Sequence, residues 1–553
     1  MLAELCKGEE ARNTLGTDTP LVDVCLDLIG AGDAGDLPHH MHARSDPPLA
    51  DTWVQFHGLR VLGNLCYNHA GHRARILQHS NGLPAIIAAL QALVSAPNDA
   101  EHVRFRIVAA GVLVNVSDDS EPMQSGLVAL GAIPQLAAIL AGAPSASHPH
   151  YTAARHALDL FLSAKEAVPQ MAAAGVVPVL LRALRALAQP GEDDDLQACE
   201  DELNNTVALT RELIHYDRAL PAFATPDNAL LLLSLARGDA PAASAIAALF
   251  LSVLVNNVDV QHTLDAHGFQ DVWRAWLTDP SPELRTAAGI CVGNMAHDDA
   301  SAVAVLSAPC VLPALKDMLR DDDSKCVHAA LGAIKNLSVA AANKPVMIAA
   351  GVVPLLLPGL QSPHAPIQYL GASLVRSLCL QQQPSTVALV ASAPELLSRL
   401  AHLSRSEDLP VRAEATRALG NVIKGAKSAG VAADIVQLGG VSSLLSLLAM
   451  PEQPVLQSDA LIALLYLVTL DGEHVARLVA AGALPLVTAV VGRTDLPVEI
   501  RCNAMSLCRA LLSDPGTRGT PDARAALDAV HAVEPSSDVV AQLVASFSDL
   551  LVE

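Results

Sequence analysis

Residues 326–362 read CVHAALGAIKNLSVAAANKPVMIAAGVVPLLLPGLQS, and their spacing specifies three successive helices. Ala329, Ala330, Ala333, Ile334 and Leu337 follow the i, i+3, i+4 rule of a single buried face, with Asn336 at the end of that helix. Asn343 is placed to cap the next helix, whose stripe is Val346, Met347 and Ala350. Gly351 ends it, because a residue without Cβ takes the left-handed conformation at little cost. A third helix begins at Val352, with Pro354 in its first turn, where no helical hydrogen bond is lost.

The same frame recurs along the chain. Small or apolar residues lie six, three and two places before Asn64, Asn115, Asn294 and Asn421, as they do before Asn336, and the frame continues through Ala164, Leu213, Val253, Ser377, Tyr466 and Ala510. From Asn64 onward the steps are 51, 49, 49, 40, 41, 42, 41, 44, 45 and 44 residues. A period of roughly 40 to 47 is that of armadillo and HEAT repeats. Glycines before the next apolar helix (Gly82, Gly131, Gly175, Gly268, Gly440, Gly482) favour the armadillo form. The expected fold is all-α, a right-handed superhelical armadillo solenoid of about 11 to 12 repeats, with capping helices and a loop over 1–50 and a continuous stack over 51–553.

Composition agrees. Of the 553 residues, 51% are hydrophobic and only 3% aromatic, which suits stacked Ala- and Leu-rich helices. A stack of repeats also escapes the size limit of a single core, so the length needs no linker between compositionally distinct domains. The longest apolar run, Ala245 to Val255, falls short of the roughly 20 residues of a membrane span. The opening MLAELCKGEE lacks the parts of a signal peptide, so the expected location is the cytoplasm, with the nucleus as a second compartment.

Chemistry of its own is not written in the chain. There is no GxSxG, HExxH, GxxxxGK[ST] or strand-bound GxGxxG motif, so neither a catalytic residue nor a cofactor is expected. Ten scattered cysteines contain no CxxC pair, and Cys66, Cys291, Cys326, Cys379, Cys502 and Cys508 read as small core residues. His39, His40 and His42 form a local cluster that reads as a solvated loop, and no metal is expected there.

Surface charge is the remaining signal. The net charge is −22, from 57 acidic against 35 basic residues, which disfavours nucleic acid and points to a basic partner. Acidic runs stand at Asp118, Asp119 and Glu121, at 192–195 with 200–202, at Asp298 and Asp299, and at Asp321, Asp322 and Asp323. Each run reads either as a solvated turn or helix cap, or as part of a field that steers a polybasic ligand. The recurrent Asn has two readings as well. An amide on the third helix of each repeat can line the concave groove and bind an extended backbone, or it can bridge neighbouring helices. On the first reading, Asn294, Asn336 and Asn421 are the groove residues, and Asn336→Ala weakens partner binding without changing the melting temperature.

The stretches LGNLCYN (62–68), ALGAIKNLSVAAANKPVMIAAGV (330–352) and RALGNVIKGAKSAGVAADIVQLGGV (417–441) resemble the small-GTPase GDP-dissociation stimulator family known as SmgGDS, most fully over 282–513. The resemblance implies a monomeric armadillo protein that binds Rho- and Rap-type GTPases with basic, prenylated C-terminal tails, stimulating GDP release from some and escorting others. It places Asn336 and Arg376 in the binding groove, with Tyr466 and Asn421 at positions where this chain departs from the family, and Asp298 as an acidic residue after the Asn294 helix. A generic armadillo adaptor without exchange activity is the alternative. A nuclear-import receptor fits less well, since its groove needs a Trp ladder and only Trp53, Trp273 and Trp276 occur.

Overall fold

The stretch that sets the frame folds in a computed structural model as Ser324–Leu337, Asn343–Ala349 and, through a 3-10 turn at Val353–Leu355, Leu356–Gln361. Gly351 has φ of +76°, the left-handed conformation its place requires. Asn343 does not cap. It is the first residue of its helix and is buried, and its side-chain amide donates to the carbonyls of Ala302 (3.1 Å) and Leu337 (2.9 Å). The amide instead ties the end of the preceding helix, where the Leu337 carbonyl lacks an intrahelical partner, to the helix Asp299–Leu306 of the repeat before.

The structure describes residues 2–17, 21–30, 51–95, 100–191, 194–214, 216, 219–238, 241–380, 384–517, 519–534 and 538–547. Regular structure among the described residues is helical throughout, and the chain divides into two compact units, Met1–Gln270 and Asp271–Glu553.

One helix per repeat carries the frame residue at or near its C-terminal end, except that Ala164 lies past its helix, after a 3-10 turn at Phe161–Ser163, and we number these ridge helices. In the first unit they are α1 (Asp51–Cys66), α2 (Ala100–Ser117), α3 (Pro149–Leu160), α4 (Leu196–Ile214) and α5 (Pro241–Leu254). In the second they are α6 (Pro282–Asn294), α7 (Ser324–Leu337), α8 (Ala365–Cys379), α9 (Leu409–Ala426), α10 (Pro454–Leu470) and α11 (Val498–Leu512). Between ridge helices stand a short helix and a second one turned sharply against it. The bend is 79° between Glu121–Ala129 and Ala132–Ala141, 84° between Asp299–Leu306 and Val311–Met318, and 86° between Glu473–Ala480 and Ala483–Val491.

At the first and third of these bends a glycine with positive φ makes the turn, Gly131 (+93°) and Gly482 (+78°), whereas the break at 307–310 has no glycine. At the Gly439–Gly440 pair the turn falls on Gly439 (φ +90°), one place before the expected Gly440. Gly440 is instead helical and packed so tightly that a Cβ would lie 2.9 Å from the Ile435 carbonyl oxygen.

The core runs through the middle of each stack. Ile334, Leu337, Leu374, Leu378, Leu464 and Leu467 are all fully buried, each on the inner stripe of its ridge helix. Ahead of α1, the helices Leu2–Leu5, Glu9–Thr17 and Leu21–Gly30 cover the first repeat. His39, His40 and His42, and Glu192 and Asp193 of the acidic run, lie outside the described residues. All ten cysteines are free thiols. Five of the six expected in the core are buried, but Cys502 is half-buried. Burial pushes the Cys66 thiol up to about 12, as expected of an inert core thiol. No single helix among the described residues is long and apolar enough to cross a membrane.

Candidate functional site

Helical pitch puts the frame residue of a ridge helix on one face with the residues one, four and eight places before it. In the first unit this face opens into a groove of about 510 Å³ lined by Arg60, Asn64, Ile107, Gly111, Asn115 and His156, among others. In the second unit a groove of about 400 Å³ is lined by Thr286, Ile290, Lys325, His328, His364 and Ile367, with others. Thr286, Ile290 and His328 stand eight or four places before their frame residues, so the same face is presented by both units.

The recurrent asparagines are bonded to the preceding repeat. The Asn336 amide donates to the Gly293 carbonyl (3.0 Å), Asn115 to Gly63 (3.2 Å) and Asn421 to Arg376 (3.1 Å). In each case the acceptor is the residue just before the previous frame position, in the last turn of a ridge helix, where carbonyls lack an intrahelical partner. Asn64 does the same toward Ala3 of the N-terminal cap (2.5 Å). The amide therefore closes the end of one repeat from the next one along. Asn294 is half-buried at the end of α6, and Tyr466 half-buried at the frame position of α10.

Arg376 anchors a chain of ion pairs across three ridge helices. Its Nε donates to Glu414 Oε2 at 2.6 Å, Arg417 Nη1 donates to Glu414 Oε1 at 2.8 Å, and Arg417 Nε donates to Asp459 Oδ2 at 2.6 Å. Glu414 is 5% exposed, so both its oxygens are spent on arginines in a dry setting. Burial works against the Arg417 charge, but Asp459 and Glu414 outweigh it and hold its pKa above the ordinary value. On the same helix Lys424 is half-buried, and burial draws its pKa below the usual lysine value despite Asp459.

The acidic residues expected to steer a ligand divide. Asp298 caps the helix Asp299–Leu306, accepting from the Ser301 N–H at 2.7 Å, and Asp323 caps α7, accepting from Lys325 and Cys326. Asp321 receives Nε and Nη2 of Arg285 at 3.0 and 2.7 Å. Asp299 and Asp322 are exposed.

Sequence reading passed over Glu414, Arg417 and Asp459. The signal was present, since Arg376 and Glu414 are 38 residues apart and Arg417 and Asp459 are 42 apart, close to one repeat in each case.

These features define an armadillo-repeat protein, built of three-helix units whose third helices present one continuous face within each unit. Among its relatives in sequence are GTPase-GDP dissociation stimulators. The chain is 24% identical over 489 residues to Rap1 GTPase-GDP dissociation stimulator 1-B of Xenopus laevis, covering 86% of this chain and 77% of that protein. The 1-A form of the same species is 24% identical, covering 89% of this chain and 80% of the relative. GTPase-GDP dissociation stimulator vimar of Drosophila melanogaster is 23% identical, covering 66% of this chain and 58% of that protein. Among solved structures, the crystal structure of an engineered protein superposes with a TM-score of 0.56 at 21% identity, covering 81% of this chain and 99% of that one, a likeness of fold. No protein-family model matches the chain.

Proposed function

We propose that this protein binds small GTPases and stimulates release of their GDP. The observation that carries the reading is similarity to named GTPase-GDP dissociation stimulators along 86% of the chain. Such a protein needs no catalytic side chain. If it binds the nucleotide-free GTPase more tightly than the GDP-bound form, linkage requires that it weaken GDP binding by the same factor. The ridge of the second unit, where Arg376 and Tyr466 stand, is the face we assign to that contact. The substrates on this reading are Rho- and Rap-type GTPases with polybasic, prenylated tails. The tail is drawn by the net charge of −22, of which Asp299 and Asp322 are exposed members. The protein then acts as a cytoplasmic monomer, as exchange factor or escort.

The test is the release of fluorescent GDP from purified Rho-type and Rap-type GTPases at low and high salt. Acceleration that fades with salt supports a stimulator steered by charge. Binding without acceleration leaves an escort or adaptor, and absence of binding to any prenylated or unprenylated GTPase overturns the reading.

A further inference from the structure

The ridge face of the second unit has the opposite sign to the chain. Positions eleven, eight, four and one before each frame residue, the frame residue itself and the position three after it fall within an arc of about 100° on a helix. Across α6 to α11 these positions hold Lys325, Lys335, Arg376, Arg417, Lys424 and Arg509. The carboxylates at the same positions are Glu283 and Glu499, each in the first turn of one of the two outermost helices. A protein of net charge −22 thus gathers cations on one face of one unit.

Two of these six cations, Arg376 and Arg417, are paired from the side. Glu414 and Asp459, the acids that flank the face, are taken by Arg376 and Arg417. Among the described residues none forms an ion pair with Lys335, Lys424 or Arg509. Lys335 and Lys424 are half-buried, so part of each side chain is withdrawn from water and part is exposed. A carboxylate arriving there replaces lost hydration with a charge-assisted bond.

We infer that the ridge of the second unit, from α7 to α11, is a docking surface for an acidic polypeptide segment in extended conformation. Adjacent helix axes lie about 10 Å apart and an extended chain rises about 3.3 Å per residue, so about twelve residues span the four steps, with alternate side chains facing the ridge. Charge complementarity selects the occupant. Nucleic acid, the other common polyanion, is repelled by the rest of this surface, whereas a short peptide meets only the local field. The inference stands on the ridge alone and does not depend on the GTPase reading.

The experiment is fluorescence anisotropy of the full chain with a labelled peptide of alternating Glu and Ala, about twelve residues long. The variants are Lys335→Glu/Lys424→Glu, its milder form Lys335→Gln/Lys424→Gln, and the control Lys165→Glu/Arg182→Glu, which reverses two exposed cations of the first unit. Circular dichroism confirms folding of each. The wild-type protein is expected to bind the peptide at low salt, the ridge reversal to weaken it by about tenfold or more, and the Gln form to weaken it by less, while the control stays within roughly twofold. Failure of the wild type to bind, or equal binding by the ridge and control variants, overturns the inference. So does tighter binding of an oligothymidylate through the same two lysines, which would make the ridge a nucleic-acid surface.

Discussion

The side-chain amide of Asn336 donates to the carbonyl of Gly293, 3.0 Å away, and so joins the end of one ridge helix to the end of the one before it. The Gly293 carbonyl belongs to the last turn of α6, where the helix offers it no N–H of its own. In a stack whose stability is a sum of repeat and interface terms, this bond is an interface term. Its repetition by Asn115 on Gly63 and Asn421 on Arg376 makes it a rule of the fold.

Asn336→Ala is therefore expected to lower stability by about 1 kcal/mol, the net worth of such a bond. In a unit of this size that corresponds to a loss of about 2–4 °C in melting temperature. Asn336→Asp should melt earlier still, because a carboxylate would face the Gly293 carbonyl with no hydrogen to offer. The measurement is thermal unfolding by circular dichroism. Unchanged melting together with weakened GTPase binding would instead assign the residue to the groove.

A second prediction concerns Glu414, which accepts from both Arg376 and Arg417 while only 5% exposed. Replacing it by Gln keeps the shape but leaves Arg376 without its carboxylate and Arg417 with Asp459 alone. Removing one partner of a buried pair costs about 3–5 kcal/mol, and the arginines here are about one fifth exposed, so a loss of about 2–3 kcal/mol is expected. Arg376→Lys should cost less, since an ammonium can still reach Glu414. Urea unfolding of both variants and of the double variant gives the coupling directly, and additivity would show that the pair does not interact.

The contrast between these two sites marks what a sequence reveals. The repeat period, the helices of 326–362, the turn at Gly351 and the buried stripe of Ile334 and Leu337 follow from spacing along one helix, which is a local property. Whether Asn336 binds a ligand or a neighbouring helix, and whether Asn343 caps its own helix or staples two others, depends on which carbonyl lies within reach. That distance is set by packing between repeats. Arg376 could be placed on the face by its frame position, yet its partner Glu414 is 38 residues on, and only comparison of charges one period apart would have joined them.

Acid should destabilise the first unit through His150. This residue is fully buried with both ring nitrogens unpartnered, and burial, then Arg106 and His148, pushes its pKa down to about 4. The unfolded chain takes up the proton near the ordinary histidine value of 6.5, before the folded chain does. The stability that comes from keeping His150 neutral is complete above pH 6.5, falls away as the pH drops towards about 4, and is level below that. The loss over that window is at most about 3 kcal/mol. Melting curves at several pH values should show His150→Phe losing less stability than the wild type between neutral pH and pH 5. Parallel curves would mean that His150 is not the titrating group.

Two glycines of neighbouring ridge helices are chemically alike and should respond oppositely to alanine. A Cβ on Gly63 would lie 2.8 Å from Val112 Cγ2 and 3.2 Å from the Val112 Cα, so it meets backbone that cannot swing aside. Gly63 also provides the carbonyl that Asn115 bonds, so pushing α1 and α2 apart stretches that bond as well. Gly63→Ala is expected to cost about 1–3 kcal/mol, the usual price of overpacking. Gly111 stands in the middle of α2 with nothing within 4 Å of its would-be Cβ, on the wall of the groove. There alanine only restricts the unfolded chain and favours the helix, for a gain of about 0.5–1 kcal/mol. Chemical unfolding of the two variants side by side decides the matter. If both stabilise, the close approach of α1 and α2 is looser than the contact at Val112 implies. If both destabilise, Gly111 is held open by something that occupies the groove.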